Sequence, residues 1–353
     1  MLYINGRFLT QPMTGVNRYA YNICKSMAAI GQPFTLLCPK AEFHDSYEVR
    51  GLNIVRFGIG NSHFWEQLVL PLFFIGKRDY MLLCFTGLGP IMLRRKIMTV
   101  HDLAFIENPA WYSRAYQLLY KFLTPLSVKT SRHILTVSEF SKSEMLRFYP
   151  FLKPSQISVV YGAVDKKILS HPLCEETTAA EPFALTVSSI DPRKNFSRLI
   201  EAFKDIPEAK LYIVGSYNRV FSEQNNISGT TENIKFLGRV NDDELTRLYQ
   251  TASCFIFPSI YEGFGLPPLE AMACGCPVLA SDIPVEREVC GDAALYFNPY
   301  DVQSIRNTFL DFLGRINELK PLLQAKGAER HRRFSFEESA KEIIRLAERC
   351  QQE

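Results

Sequence analysis

Four short stretches of this 353-residue chain hold residues whose types and spacing could do chemistry. The longest is Tyr261-Glu262-Gly263-Phe264-Gly265-Leu266-Pro267-Pro268-Leu269-Glu270-Ala271-Met272-Ala273-Cys274-Gly275-Cys276-Pro277-Val278. Its glycines let the backbone turn tightly and approach a ligand closely. Its prolines suit the first turn of a helix, and the exposed amides of such a turn form an anion site. A carboxylate is ill placed against a phosphate but accepts hydrogen bonds from sugar hydroxyls. Glu262 and Glu270, a little over two helical turns apart, therefore suit two hydroxylated groups on either side of a diphosphate. In Asp191-Pro192-Arg193-Lys194-Asn195, adjacent cations follow an apolar run. Arg offers a planar fork and Lys a point charge for the same diphosphate. In Thr99-Val100-His101-Asp102-Leu103, His101 could hydrogen-bond a sugar hydroxyl or polarise a reacting centre, its unperturbed pKa would also permit a proton shuttle, and Asp102 could orient it. In Thr14-Gly15-Val16-Asn17-Arg18, Gly15 opens a helix whose amides could reach a phosphate or a sugar, although a plain helix start reads the same way. No metal is expected, since no partner ligands stand at a suitable spacing.

The elements that must position these residues alternate between short apolar runs and amphipathic ones, the rhythm of βα units and parallel sheets. In the first half, strands are expected at Leu2–Asn5, Phe34–Pro39, Asn53–Phe57, Tyr80–Phe85, Ile97–Asp102, His133–Val137 and Ser158–Tyr161. Helices are expected at Val16–Ala28, Arg114–Lys129 and Lys142–Phe148, the last with Ser141 and Glu144 at capping-box spacing. The polar, proline-framed residues His171 to Pro182 read as a linker. A second series follows, with strands at Phe183–Ser188, Lys210–Val214, Ile234–Leu237, Cys254–Pro258, Pro277–Ala280 and Ala294–Phe297. Its helices fit Ser197–Lys204, Asp242–Thr251 and Pro267–Ala273, with a last one at Ser339–Cys350. Asn241 with Glu244 and Ser335 with Glu338 repeat the capping-box spacing. The expected division is residues 1–170, a linker 171–182, residues 183–335, and a C-terminal helix 336–353 that crosses back to the first domain. Ligands of open parallel sheets bind beyond the carboxyl ends of the strands, where all four stretches fall.

Within its glycine-rich frame, Glu262-x7-Glu270 resembles the signature of the retaining GT-B glycosyltransferases of family 4, and the resemblance covers nearly the whole chain. It implies an α/β fold of two Rossmann-like domains, their parallel sheets facing each other across a cleft. It implies that Glu262 contacts the donor sugar, that Glu270 holds the ribose, and that Gly263, Phe264, Gly265 and Leu266 lie against sugar and diphosphate. Lys194, before Asn195, matches the family's diphosphate ligand. Many members carry an Arg shortly after the preceding strand. Here Ser188-Ser189-Ile190 stands instead, and either Arg193 or a serine hydroxyl takes that place. His101 matches a His near the donor sugar, Arg239 a position near the base, and Gly15 with Arg18 a loop facing donor and acceptor. Tyr161-Gly162-Ala163-Val164-Asp165 resembles the family's Asn-Gly-Val-Asp stretch and is read as scaffold, like Ser138.

Composition fits this reading and excludes others. The 47% of apolar residues can fill two cores, and a net charge of +3 with no RNA or DNA motif gives no reason to expect nucleic acid. Nine scattered cysteines without a CxxC pair read as buried free thiols in a reducing compartment. No signal peptide or spanning segment is recognised, so a cytoplasmic protein is expected, resting on the inner face of the membrane. Trp111, Tyr112, Arg114, Tyr116, Tyr120, Lys121 and Phe122, with Leu93-Arg94-Arg95-Lys96, fit equally a surface for a lipid-linked saccharide and a helix covering its own core. The expected activity is a retaining, metal-independent hexosyltransferase without cofactor. Its donor is a nucleotide sugar (GDP-mannose first, UDP and dTDP sugars as alternatives), and its acceptor is a lipid-linked or free saccharide. With Pro192-Arg193-Lys194-Asn195, the chain resembles bacterial surface-polysaccharide mannosyl- and rhamnosyltransferases. Rival readings are an epimerase or phosphorylase on the same fold, and a silent nucleotide-sugar-binding subunit.

Overall fold

The computed structural model describes residues 1–171, 182–189, 191–215 and 232–352. All thirteen expected strands are present, within one or two residues of their expected ends: β1 Leu2–Asn5, β2 Thr35–Cys38, β3 Ile54–Arg56, β4 Met81–Cys84, β5 Lys96–Val100, β6 His133–Thr136, β7 Ile157–Val159, β8 Phe183–Val187, β9 Lys210–Val214, β10 Ile234–Gly238, β11 Cys254–Phe257, β12 Val278–Ser281 and β13 Ala294–Phe297. Strands such as Met81–Cys84 and Val278–Ser281 are buried at every position. A parallel sheet covered on both faces demands such near-continuous apolar runs.

The chain divides into two compact units. The first is Met1–Gly162 together with the tail from Ser335 onward, and the second is Ala163–Phe334. The passage between them falls at Gly162, upstream of the expected linker, of which residues 172–181 lie outside the described residues. The first unit holds a seven-stranded sheet ordered β3-β2-β1-β4-β5-β6-β7, every pair parallel. Its core gathers Trp65, Leu70, Leu82, Met98 and Met145. The helix Phe336–Gln352 packs on the helix Gly15–Ala29 of this unit. There Phe336 meets Tyr19 edge-on at 6.2 Å, and Ser339 donates to Tyr161 O at 2.8 Å. The second unit holds a six-stranded parallel sheet ordered β10-β9-β8-β11-β12-β13, over a core that includes Leu199, Phe203, Ile256, Phe309 and Phe312. Strand order reverses between β1 and β4 in one sheet and between β8 and β11 in the other. Each reversal opens a crevice at the carboxyl ends.

Two local expectations need correction. The helix Glu139–Phe148 starts three residues early: Ser138, extended at the exit of β6, is its cap and accepts the Ser141 amide at 2.9 Å. Ser141 is thus the donor, and the Ser141/Glu144 spacing is no capping box. Lys96 does not extend a basic surface run with the exposed Arg94 and the half-buried Arg95. It opens β5 with 0% exposure, and its ammonium donates to Leu93 O at 2.8 Å and Thr130 Oγ1 at 2.7 Å. The other two caps form as spaced, Asn241 receiving the Glu244 amide at 2.9 Å and Ser335 that of Glu338 at 3.4 Å. Eight cysteines among the described residues are free and buried.

Candidate donor site and carboxyl-edge residues

Two loops meet at the reversal in the second sheet. The one after β8 carries a tight turn, Pro192–Lys194, entered through Asp191, whose Oδ1 accepts the Arg193 amide at 3.2 Å. Asn195 ends that turn in the left-handed region (φ 58°) and donates through Nδ2 to Pro258 O at 3.0 Å, in the loop after β11. The Ile260 amide donates back to Arg193 O at 2.8 Å. The two loops are therefore stitched by backbone as well as side chain, and they bring Lys194 and Glu262 together. Lys194 Nζ lies 2.5 Å from Glu262 Oε1, with both side chains about nine-tenths buried. Burial alone would push the Glu262 carboxyl up, but the charges of Lys194 and Arg193 and the Lys194 hydrogen bond hold it below the usual range. Arg193 also pairs with Asp191 at 3.4 Å.

Beyond Glu262, Gly263, Phe264 and Gly265 are buried, and the Phe264 ring packs edge-on against Phe334 at 5.5 Å. Gly265 (φ +99°) caps the helix Leu266–Ala273. The expectation of a run of free amides at this helix head is narrowed: Pro267 and Pro268 hold its second and third positions and have no N–H, so of the first three helical residues Leu266 alone carries an amide donor. Glu270, on the same helix, accepts a hydrogen bond from the buried Tyr249 hydroxyl at 3.3 Å. Arg239 follows β10, two strands out from β8. It is exposed and makes no hydrogen bond or ion pair among the described residues.

In the first unit, His101 leaves the end of β5 with Nε2 at 2.7 Å from Phe85 O. A carbonyl only accepts, so the ring proton sits on Nε2 and Nδ1 is left as the acceptor. Burial lowers the His101 pKa, against smaller opposing effects of the Phe85 carbonyl and Asp102, and the Tyr19 ring stands edge-on at 5.1 Å. A neutral ring of this tautomer can receive a hydroxyl hydrogen through Nδ1. Asp102 Oδ1 accepts the Ala104 amide at 3.1 Å and so shapes the turn after His101. Gly15 begins its helix behind the cap Thr14, and a Cβ there would meet nothing within 4 Å. The fold itself does not require that glycine. Arg18, half-buried, lies one turn further along the same helix.

Sequence reasoning missed three features. Tyr249 and Glu286 reach the donor loops from helices distant in sequence. A buried cluster at the end of β1 was missed as well: Glu66 accepts from Asn5 Nδ2 at 2.6 Å and His63 Nδ1 at 3.1 Å, with Arg7 Nη2 at 3.6 Å. Glu286 had a readable signal, an acid on the apolar stripe Val285, Val289, Cys290.

Two open parallel sheets with charged and polar residues collected at their carboxyl edges define a GT-B glycosyltransferase fold, and solved structures agree. WaaG, a glycosyltransferase involved in lipopolysaccharide biosynthesis, superposes with a TM-score of 0.75 at 15% identity, covering 98% of this chain and 99% of that one. Anabaena HepE in complex with UDP and glucose gives 0.74 at 16% identity, covering 98% of each chain. Residues 13–167 match Glycosyltransferase Family 4, and residues 175–319 match Glycosyl transferases group 1. The O-antigen chain mannosyltransferase B of Escherichia coli is 31% identical over 72% of this chain and 70% of its own length. The O-antigen chain mannosyltransferase RfbU of Salmonella typhimurium is 29% identical over 86% of this chain and 88% of its own. The chain belongs to glycosyltransferase family 4.

Proposed function

We propose that this glycosyltransferase is a retaining mannosyltransferase that transfers mannose from GDP-mannose to a lipid-linked saccharide in O-antigen assembly. The observation that carries the reading is the buried Lys194–Glu262 pair at the strand-order reversal. A diphosphate entering there competes with Glu262 for Lys194, and the released carboxylate is free to accept hydrogen bonds from sugar hydroxyls. Lys194, Arg193 and the Leu266 amide then stabilise the charge that grows on the diphosphate as the bond from sugar C1 to phosphate oxygen breaks. The acceptor hydroxyl forms the new bond at C1 on the same face and gives its proton to the departing diphosphate. In this reading Glu262, engaged by the sugar hydroxyls, and Glu270, held by the Tyr249 hydroxyl, do not act as nucleophiles, and protein cations replace a metal. Glu270 takes the ribose, and His101 accepts a sugar hydroxyl through Nδ1. The O-antigen mannosyltransferases among the relatives support mannose as the sugar.

GDP-mannose, compared with UDP-glucose and dTDP-rhamnose, tests this. A ligand selective for the fold at about 100 times its Kd stabilises it by about 2.7 kcal/mol, a clear rise in Tm. GDP-mannose should raise Tm most, turnover should survive chelator, and product NMR should show the donor's anomeric configuration. No rise and no turnover with any donor would overturn the reading.

Peripheral membrane contact is part of the proposal. No helix among the described residues is long and apolar enough to cross a membrane. Phe64, Leu68 and Leu72, one helical turn apart, are more than half exposed. Gln67 between them clasps Gly89 O at 3.1 Å, and Gly89 in turn bonds Ser127 of the helix Arg114–Thr130, which exposes Leu118 and Phe122. Exposed Arg94 and Lys121 add charge for anionic headgroups. Flotation with phosphatidylglycerol vesicles should be lost in a Leu68→Ser/Leu72→Ser variant. Equal flotation of both proteins would remove the membrane contact.

A further inference from the structure

The helix Pro284–Cys290 buries Val285, Glu286, Val289 and Cys290. Glu286 is 0% exposed and forms no ion pair among the described residues. Its Oε2 receives the Cys290 thiol at 3.7 Å, one turn along, while its Oε1 has no hydrogen-bond partner. A buried polar atom left unsatisfied destabilises the fold, so for packing alone an apolar residue would serve better. Next to this oxygen lies the donor turn. A Cβ built on Gly265 would lie 2.8 Å from Glu286 Oε1 and 3.2 Å from Oε2. The carboxyl therefore backs the one point of the turn where the chain runs left-handed and no side chain fits.

We propose that Glu286 is a positioning residue of the donor site: its carboxyl supports the Gly263–Gly265 turn from the protein side and so fixes where Glu262 meets the sugar. This inference rests on the donor-site reading above. The groups facing Glu286 are Cys290 on its own helix, and Glu262 and Lys194 from the two donor loops. Tyr296 of β13 donates to the Glu286 carbonyl at 3.3 Å, and the Arg330 guanidinium is occupied by the Val289 and Glu288 carbonyls. Burial first, then the negative charge of Glu262, push the Glu286 carboxyl well above the usual range, against smaller pulls from the Cys290 thiol and Lys194. With its proton, Glu286 leaves Lys194 to Glu262 and the incoming diphosphate. Without it, two carboxylates would compete for one ammonium, so donor binding weakens on the alkaline side as that proton leaves.

The test measures donor turnover from about pH 6 to about pH 9.5 for the wild type, Glu286→Gln and Glu286→Leu. The wild type should lose turnover on the alkaline limb. Glu286→Gln, neutral at every pH, should keep its donor KM within about twofold of the wild-type value and lose that limb. Glu286→Leu should raise the donor KM at least about fivefold. A Gln variant with an unchanged limb, or a Leu variant with wild-type kinetics, overturns the inference. The donor-induced rise in wild-type Tm across the same pH range needs no variant to fold: it should shrink on the alkaline side, and a flat response overturns the inference. Failure of the wild type to bind or turn over GDP-mannose, UDP-glucose or dTDP-rhamnose at any pH would instead remove the donor-site reading itself.

Discussion

Asn195 donates through Nδ2 to Pro299 O at 2.7 Å, tying the loop that carries Lys194 to the loop after β13. The same amide nitrogen holds Pro258 O, and Asn195 is the one non-glycine residue with positive φ among the described residues. Asn tolerates that conformation better than most residues do. Asn195→Ala loses both bonds, strands two carbonyls and strains the backbone. It should lower unfolding stability by about 2–4 kcal/mol in urea titrations and raise the donor KM. Asn195→Gly, which fits the backbone without the bonds, should lose less.

The pairing of Lys194 with Glu262 predicts an asymmetric result. Lys194→Ala leaves a buried carboxylate uncompensated, at about 3–5 kcal/mol. Lys194→Ala/Glu262→Ala removes both charges and should unfold at higher urea than Lys194→Ala alone, while neither variant turns over donor. The folded Glu262 carboxyl lies below its ordinary range. Its contribution is therefore present above the unfolded pKa and lost as pH falls through the folded value. Acid titration of wild type and double variant should show that extra loss in the wild type only.

Tyr249→Phe deletes the hydroxyl that holds Glu270 at 3.3 Å and leaves the ring in its buried place. A hydrogen bond to a charged group contributes about 1.5–3 kcal/mol. Because it steadies a residue assigned to the ribose, its loss should raise the donor KM about tenfold or more and change kcat little. Steady-state kinetics with varied donor separates the two, and a pure kcat loss would contradict the assignment.

Lys96 predicts a stability that grows with alkalinity. Burial lowers its pKa from 10.5 to about 8, against a smaller opposing effect of Cys84. Between those values the unfolded chain binds more protons than the fold, so unfolding free energy rises with pH, by about 3 kcal/mol across the window. Buried thiols such as Cys84 and Cys254, pushed up by burial, act in the opposite direction. The effect is therefore read as the wild-type slope minus that of Lys96→Met, and a zero difference would contradict it.

The sheets were legible because a strand covered on both faces must be written in near-continuous apolar residues, as in Met-Leu-Leu-Cys at 81–84 and Val-Leu-Ala-Ser at 278–281. The donor loops were legible because sharp turns and anion sites restrict residue type: Gly263, Gly265, Pro267, Lys194 and Glu262 all advertise their surroundings. Tyr249 was not, and Glu286 showed only as an acid on an apolar stripe, because what matters about both is which helix face meets the donor site, a tertiary fact. The helices Val302–Gly314 and Ile316–His331 were not singled out either, the second carrying Pro321 within it. Lys96 was misread because its neighbours Arg94 and Arg95 suggest a basic patch. The strand starts at Lys96 itself and carries its side chain inward.

The helix Phe336–Gln352 follows the entire second unit in the chain yet packs in the first. The first unit is therefore built from two pieces of chain that the whole of the second unit separates, and a chain cut after Phe334 would keep every residue of the second unit while leaving the Tyr19 side of the helix Gly15–Ala29 bare.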